Sequence, residues 1–223
     1  MVAAPPGTGA KLQSQLAAQQ SYAFELTIVS VDADGKPVLG QVKQTGAVRL
    51  APLTTENESA VLADGQAVGD ATATIFVDGK GYVRDAGTWE PLSEQDADYQ
   101  TRLVQRDPGV LLTLVAAIQD LHLAGQDTVD GTATTGYAGS FQREWFDALP
   151  KDNPAVAGLK SVYAPEESMK TINVNVAVDA SMLVRRIILV WSSEPGGTSP
   201  ALTTTATVTF SKFNAPVDIK APM

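Results

Sequence analysis

The sequence of 223 residues contains no cysteine and a single histidine, His122. Without cysteine the chain cannot form disulfides, thiolate nucleophiles or Cys-ligated zinc and iron–sulfur sites. Every serine has only His122 as a possible imidazole base, which disfavours a hydrolase triad. We therefore interpret His122 as a capping or partly packed residue. We expect a protein that is not an enzyme and that needs no cofactor.

Positive charge is also scarce, since the formal net charge is −9 at pH 7. No stripe of Lys and Arg interleaved with aromatic residues is present, so the composition argues against nucleic acid as a partner. The longest nearly unbroken apolar run is VLLTLVAAI, residues 110–118. That run is less than half of the roughly 20 residues that a membrane-spanning helix needs, so no spanning segment is predicted.

What is present is typical of a globular protein: 44% of the residues are apolar and 18% are charged. All-β and mixed sheets of this length commonly form one domain. We predict a tether or linker at residues 1–8, which are rich in small residues and Pro, and a single domain at residues 9–223. The featureless start suggests a mature segment whose export signal has been removed.

Strict alternation marks the strands. In residues 171–180, TINVNVAVDA, every second residue is apolar, so one face of this strand should be buried and the other exposed to solvent. Residues 201–214 alternate almost as well, and residues 22–31 precede the turn DADGKP in a predicted hairpin. A second hairpin is predicted around Asp78-Gly79. Residues 53–70, in contrast, are polar and are interrupted by turn-forming residues.

Helical spacing indicates two main helices. Residues 9–21 place Leu12, Leu16 and Ala17 on one side. Asp107 and Pro108 are suitable for an N-cap and the first position of a helix to about Leu121. Two short helical pieces, broken by proline, are predicted between residues 142 and 165. With about eight strands, the fold class is α+β, a single large curved antiparallel sheet, or half-barrel, packed on a few helices.

The order of these elements resembles the LppX/LprG lipoprotein family of the LolA-like superfamily. The phrases that carry the resemblance are SYAFEL, IFVDGKGYVRDAGTWEPL, DTVDGTATTGYAGSF and FNAPVDIKAP. The resemblance implies a LolA-like half-barrel that encloses an apolar cavity outside the cytoplasmic membrane and carries lipids or lipoglycans. It also implies an anchoring cysteine, which would have to lie upstream of Met1, and it is compatible with a transport partner in the cell envelope.

A curved sheet of this size offers more inner face than a few short helices can fill, so we expect a lipid cavity. Its predicted lining combines the apolar strand faces with the apolar stripe of the second helix: Phe24, Leu26, Ile28, Leu111, Leu114, Val115, Ile118, Val174, Val176, Val178 and Val208. The alternative is a dry core in a scaffold or protein-interaction module without a lipid ligand. Periodicity alone does not separate the two.

Three other groups of residues leave alternatives open. Arg185 and Arg186 are adjacent on a strand, so one should point to the covered side and form either a salt bridge or a headgroup contact. Glu94, Asp96 and Asp98 form a solvated acidic loop or a weak calcium site. The tryptophans, Trp89, Trp145 and Trp191, are interpreted as core anchors rather than as ligand platforms.

Overall fold

The computed structural model describes residues 2–38, 40–85, 87–95, 99, 102, 106–118, 120–142, 171–193 and 201–222. Within these ranges the chain forms two α-helices, one 3-10 turn and twelve strands. Helix α1 spans Thr8–Ala17 and helix α2 spans Leu111–Ala117, directly after the 3-10 turn Pro108–Val110. None of the helices in the described ranges is long and apolar enough to cross a membrane.

The strands belong to a single sheet, and each pairs antiparallel with its neighbours. In chain order they are β1 Ser21–Val31, β2 Gln41–Leu50, β3 Leu53–Ala63, β4 Gln66–Ala67, β5 Thr72–Val77, β6 Lys80–Asp85, β7 Thr88–Leu92, β8 His122–Val129, β9 Thr132–Gln142, β10 Thr171–Val178, β11 Val184–Ser193 and β12 Leu202–Ser211. The spatial order is β7-β6-β5-β3-β2-β1-β12-β11-β10-β9-β8, and β4 pairs with β3.

This architecture confirms the predicted fold class, a large open antiparallel sheet packed on helices. The first and last strands of the domain, β1 and β12, pair at the centre of the sheet, with Phe24 opposite Phe210. Residues of β1, β9, β10, β11 and β12 that face inward meet α1 and α2 in one core cluster. The core therefore lies under the middle of the sheet rather than at an edge.

Several predicted boundaries are wrong. Residues 53–63 form strand β3, whereas the sequence indicates only a polar stretch interrupted by turn-forming residues. The strand is not evident from the sequence because its inner face carries the polar residues Thr55 and Asn57, just as its outer face carries Glu56. Helix α1 ends at Ala17, which is exposed. Helix α2 ends at Ala117 rather than near Leu121, since β8 begins at His122. The helical pieces predicted between residues 142 and 165 fall almost entirely outside the described residues.

The turn predictions were more accurate. Asp78 and Gly79 connect β5 to β6 with positive φ angles of 52° and 75°, as a tight hairpin turn requires. Asp107 caps the 3-10 turn, because its side chain accepts a hydrogen bond from the backbone N–H of Gly109. At the N-terminus, Ala4 N donates to Leu121 O and Leu123 N donates to Val2 O, so residues 2–4 run beside the start of β8.

Candidate functional site

The predicted lining residues converge in the core cluster. Cross-strand partners share a face of the sheet, and one row of partners runs from Leu26 through Val208 and Ile187 to Val176. All of the predicted residues are buried except Ile28 and Ile118, which are partly buried and pack against the cluster. The structure thus unites Phe24, Leu26, Ile28, Leu111, Leu114, Val115, Ile118, Val174, Val176, Val178 and Val208.

The predicted lining includes nine of the 24 buried residues of this cluster. The predicted lining omits fifteen buried members, although the sequence already indicates Leu12 and Leu16 as one side of a helix and Trp191 as a core residue. The fifteen are Leu12, Leu16, Tyr22, Val48, Leu112, Leu121, Tyr137, Phe141, Ile172, Val184, Ile187, Leu189, Trp191, Ala206 and Phe210. In β11 the continuous apolar run Ile187–Trp191 hides the alternation, since Ile188 and Val190 are only partly buried. Pairing β11 with β10 would have recovered Ile187 and Leu189.

The core is closed. Leu111, Leu114, Val115, Val174 and Val208 have 0% of their surface accessible, so neighbouring atoms contact these side chains on every side. A void wide enough for a water molecule would leave its lining with accessible surface. An acyl chain can therefore enter among these side chains only if the groups that cover them move apart.

Two glycines set how closely the helices approach. A Cβ on Gly9 would lie 2.5 Å from the carbonyl oxygen of Val115 and 2.8 Å from Cα of Ala116. The backbones of α1 and α2 are therefore in direct contact. On the sheet side, a Cβ on Gly139 of β9 would lie 2.5 Å from Cγ2 of Ile118. The end of α2 is thus seated directly on β9.

The other end of α2 is connected to the sheet by a buried polar contact. The Tyr22 hydroxyl donates a hydrogen bond to Oδ1 of Asp107, which also accepts the backbone N–H of Gly109 at 2.8 Å. Burial, followed by the adjacent Asp107 carboxylate, raises the pKa of Tyr22 well above its ordinary value. Burial also raises the pKa of Asp107, although the hydrogen bonds from Tyr22 and Gly109 oppose this shift.

The inner face changes character beyond β1. On β2, β3 and β5 it carries four buried polar side chains: Gln44, Thr55, Asn57 and Thr74. Nearby, the Arg106 guanidinium lies 5.1 Å from the ring centroid of Phe76, which is the cross-strand partner of Thr55. Burial lowers the pKa of Arg106, while the charge of Asp107 raises it. The sheet therefore presents an apolar half and a polar half to its interior.

Both adjacent arginines of β11 form salt bridges. Nε and Nη2 of Arg185 donate to Oδ2 of Asp179 at 2.9 and 2.6 Å, and Arg186 pairs with Asp127. Burial acts to raise the pKa of Asp179, but hydrogen bonds from Arg185 and from the backbone of Leu183 and Ser181 lower it overall. The structure therefore supports the salt-bridge interpretation rather than an unpaired headgroup contact.

The remaining sequence candidates lie away from this core. The ring Nδ1 of His122 lies 3.0 Å from the Asp120 carbonyl, in agreement with a capping role. Trp191 is 9% exposed and belongs to the core, whereas the core prediction is wrong for Trp89, which is partly exposed under the Arg84 guanidinium. Trp145, Asp96 and Asp98 lie outside the described residues.

An open groove of about 820 Å³ lies on the outer face of the sheet. Small side chains of β1, β2 and β5 form its floor, and residues 215–218 of the C-terminal segment form one wall. Its charged residues include Glu25, Glu56 and Glu58 as well as Arg84 and Lys212. Of the predicted lining residues, Phe24 alone borders the groove, so the groove and the core cluster are separate features.

Comparison with solved structures shows the same fold in two mycobacterial proteins. LprF from Mycobacterium bovis matches with a TM-score of 0.58 and 14% identity, covering 100% of this chain and 99% of that one. The lipoprotein LppX from Mycobacterium tuberculosis matches with a TM-score of 0.55 and 16% identity, covering 97% of this chain and 100% of that one. The comparison with curated proteins gave no match.

The family comparison covers most of the sequence. The model of the LppX_LprAFG lipoproteins matches residues 10–219, which include most of α1, every described strand and the C-terminal segment that borders the groove. This match and the shared fold agree with the resemblance drawn from the order of the elements. The chain belongs to the LppX_LprAFG lipoprotein family.

Proposed function

We propose that this protein is a non-enzymatic carrier that shields the acyl chains of a lipid or lipoglycan between the inner sheet face and helices α1 and α2. One observation carries the proposal: the predicted lining residues meet in one apolar cluster, and among the described residues this cluster packs against helices of ten and seven residues. Membership in a lipoprotein family supports a lipid-binding role in general and a location in the cell envelope.

The energetics favour a carrier over a pump. Burying an acyl chain of about 15 methylenes stabilises it by about 12 kcal/mol relative to water, at about 0.8 kcal/mol per methylene. The bilayer offers the same stabilisation, so transfer from membrane to core is nearly isoenergetic. The protein would lower the barrier to crossing water without setting a direction. Direction would then come from a partner in the envelope, and contact with the membrane from an anchor upstream of Met1.

We expect opening to involve α2. Residues 108–121 form the proposed lid, because α2 contributes Leu111, Leu114 and Val115 to the closed cluster. The backbone contact at Gly9 couples α1 to α2, so the two helices should move as one unit. Amide exchange in α2 should accordingly slow when lipid is bound, while exchange in β11 and β12 should change little.

A disulfide clamp tests this function directly. Since the chain has no cysteine, the double variant Ile118→Cys/Gly139→Cys introduces the only two thiols. The Cβ on Gly139 would lie 2.5 Å from Cγ2 of Ile118, so these positions are close enough for a disulfide between α2 and β9. The oxidised variant should fail to take up a pyrene-labelled fatty acid, and reduction should restore uptake.

The single variants are the controls for the clamp, because each keeps one mutation without the cross-link. Equal uptake by the oxidised and reduced double variant would contradict an opening at this end of α2. Absence of uptake in the unmodified chain and in the reduced variant would contradict the carrier function itself. Native mass spectrometry of protein purified from membranes would identify the bound lipid.

The alternative is an envelope scaffold or protein-interaction module. Two observations favour it: side chains at the centre of the core have no accessible surface, and the outer groove of about 820 Å³ shares only Phe24 with the core cluster. A scaffold would retain a fixed core, bind no acyl probe, and use the outer face. The uptake assay with the clamp therefore separates the two functions, since only the carrier depends on movement of α2.

A further inference from the structure

The outer groove runs across seven strands of the sheet. One row of cross-strand partners that lines it passes from Thr209 on β12, through β1, β2, β3, β5 and β6, to Trp89 on β7. Neighbouring strands lie about 4.8 Å apart, so this row is about 29 Å long. An extended peptide of about nine residues spans that distance. The shape of the groove therefore suits an extended chain segment better than a small compact ligand.

The groove is formed before any ligand binds. Small side chains form its floor, among them those of Ala23, Ala47 and Ala73. Residues 215–218, which form one wall, are fixed to the sheet, because the Ser21 hydroxyl of β1 donates a hydrogen bond to the Ala215 carbonyl at 2.6 Å. The next residue, Ile219, is buried. A site that is already in place costs less conformational entropy when a partner docks.

The charge of the groove is mostly negative. Five carboxylates line it: Glu25, Glu56, Glu58, Asp130 and Asp218. Of the described residues that line it, two are cationic, Arg84 and Lys212. Glu56, which is exposed on the outer face of β3, has no ion pair with any described residue. A cationic ligand in the groove would therefore meet a net negative charge and at least one carboxylate without a basic partner.

One end of the groove already holds a guanidinium. The Arg84 guanidinium lies 5.2 Å from the ring centroid of Trp89, and its Nη2 lies 3.4 Å from Oε2 of Glu58. The Trp89 ring remains partly exposed. A planar guanidinium stacks on aromatic rings and also pairs with carboxylates, whereas the ammonium of lysine is a compact, strongly hydrated charge. Arginine is therefore the cation that this combination of groups suits best.

We propose that the outer groove is a docking site for an extended, arginine-rich segment of a partner protein. The segment would cross the sheet from β12 to β7 over the small side chains of the floor, with arginines near Glu56 and Trp89. A second copy of this chain suits the groove less well, since its own net charge is −9. The inference goes beyond the carrier function and does not depend on it, because the groove shares only Phe24 with the core cluster.

The test measures the fluorescence anisotropy of a fluorescein-labelled nonapeptide that alternates arginine and threonine. The parent should bind this peptide, and Glu56→Lys should weaken binding about 5- to 20-fold, because an attractive pair becomes a repulsive one. Glu90→Lys is the matched control, since Glu90 is exposed on β7 outside the groove and its replacement changes the net charge by the same amount. It should change the affinity by less than about 2-fold, because salt screens distant exposed charges.

A second variant tests the aromatic end of the groove. Trp89→Leu should weaken binding of the same peptide about 2- to 5-fold, because an arginine of the peptide loses its contact with the ring. Urea unfolding checks that Glu56→Lys and Glu90→Lys are as stable as the parent, as expected for exposed positions.

Four results would overturn the proposal. The first is no binding of the arginine peptide by the parent. Equal weakening by Glu56→Lys and Glu90→Lys would show attraction by the overall charge rather than by the groove. Equally tight binding of a peptide with glutamine in place of arginine would show that no cation is recognised. A parent dimer in sedimentation that Glu56→Lys but not Glu90→Lys dissociates would assign the groove to a second copy. Fatty-acid uptake tests the carrier function separately from all four.

Discussion

The hydroxyl of Tyr22, on the central strand β1, donates a hydrogen bond to the carboxylate of Asp107, which caps the turn before α2. The two residues are 85 positions apart in the sequence. Gly109 makes the contact possible, because a Cβ there would lie 2.6 Å from the Tyr22 hydroxyl oxygen. One buried polar pair thus fixes the start of the proposed lid to the middle of the sheet.

Removing the donor should loosen this attachment. Tyr22→Phe keeps the ring, including its edge-to-face contact with Phe210 at 5.5 Å between centroids, but leaves the buried Asp107 carboxyl with one partner fewer. We expect the free energy of unfolding to fall by about 1–3 kcal/mol. Urea unfolding measures this change, and stopped-flow uptake of a pyrene-labelled fatty acid should show faster binding.

Tyr82→Phe on β6 is the matched control, since that tyrosine is only partly buried and lies outside the core cluster. It should leave both stability and uptake close to those of the parent. If Tyr22→Phe is no less stable than Tyr82→Phe, the hydrogen bond to Asp107 does not hold α2 to the sheet.

Asp107 and Asp179 should make stability depend on pH with opposite signs. The folded-state pKa of Asp107 is raised, so its favourable contribution is present at low pH and is lost as pH rises through that pKa. The folded-state pKa of Asp179 is lowered, so its contribution is present above the ordinary value of about 3.9 and is lost as pH falls below it.

Urea titrations of the parent, Asp107→Asn and Asp179→Asn across a pH series check both signs. The stability of the parent relative to Asp107→Asn should decrease as pH rises above about 4. Its stability relative to Asp179→Asn should decrease in acid. The same sign for both variants would show that the two carboxyls do not occupy these opposite environments in the folded protein.

Much of the secondary structure can be predicted from local sequence pattern, whereas the contacts between the elements cannot. Alternation at Ile172–Val178 and the Asp78-Gly79 turn each predict a feature that the structure contains. Strand β3 does not show the alternation of apolar and polar residues, because its inward residues Thr55 and Asn57 are polar. Backbone approaches such as Gly9 to Val115 depend on which helices meet, and a single sequence carries no signal for that.

A substitution that creates a cavity in the closed core should lower stability and yet strengthen lipid binding. Leu114→Ala on α2 should lower the free energy of unfolding by about 2–5 kcal/mol, because Leu114 has no accessible surface. If the protein is a carrier, an acyl chain can occupy the space that the Leu114 side chain leaves, so less free energy is needed to separate α2 from the sheet. The variant should therefore bind a pyrene-labelled fatty acid more tightly than the parent. Isothermal titration measures the affinity. A destabilised variant without any gain in affinity would favour the fixed core of a scaffold.

The opposite change should have the opposite effect on binding. Val176→Trp adds an indole at the centre of β10, where Val176 is 1% exposed and pairs with Ile187 and Tyr137. Overfilling a closed core costs about 1–3 kcal/mol, so the free protein should be less stable. The indole also occupies space that an acyl chain would use, so affinity for the fatty acid should fall sharply.

Asn175→Trp is the matched control, since Asn175 is adjacent to Val176 on the strand but is exposed on the outer face. It should bind like the parent, because its indole never enters the core. Equal loss of binding in both variants would place the acyl chain elsewhere than on the inner face of β10.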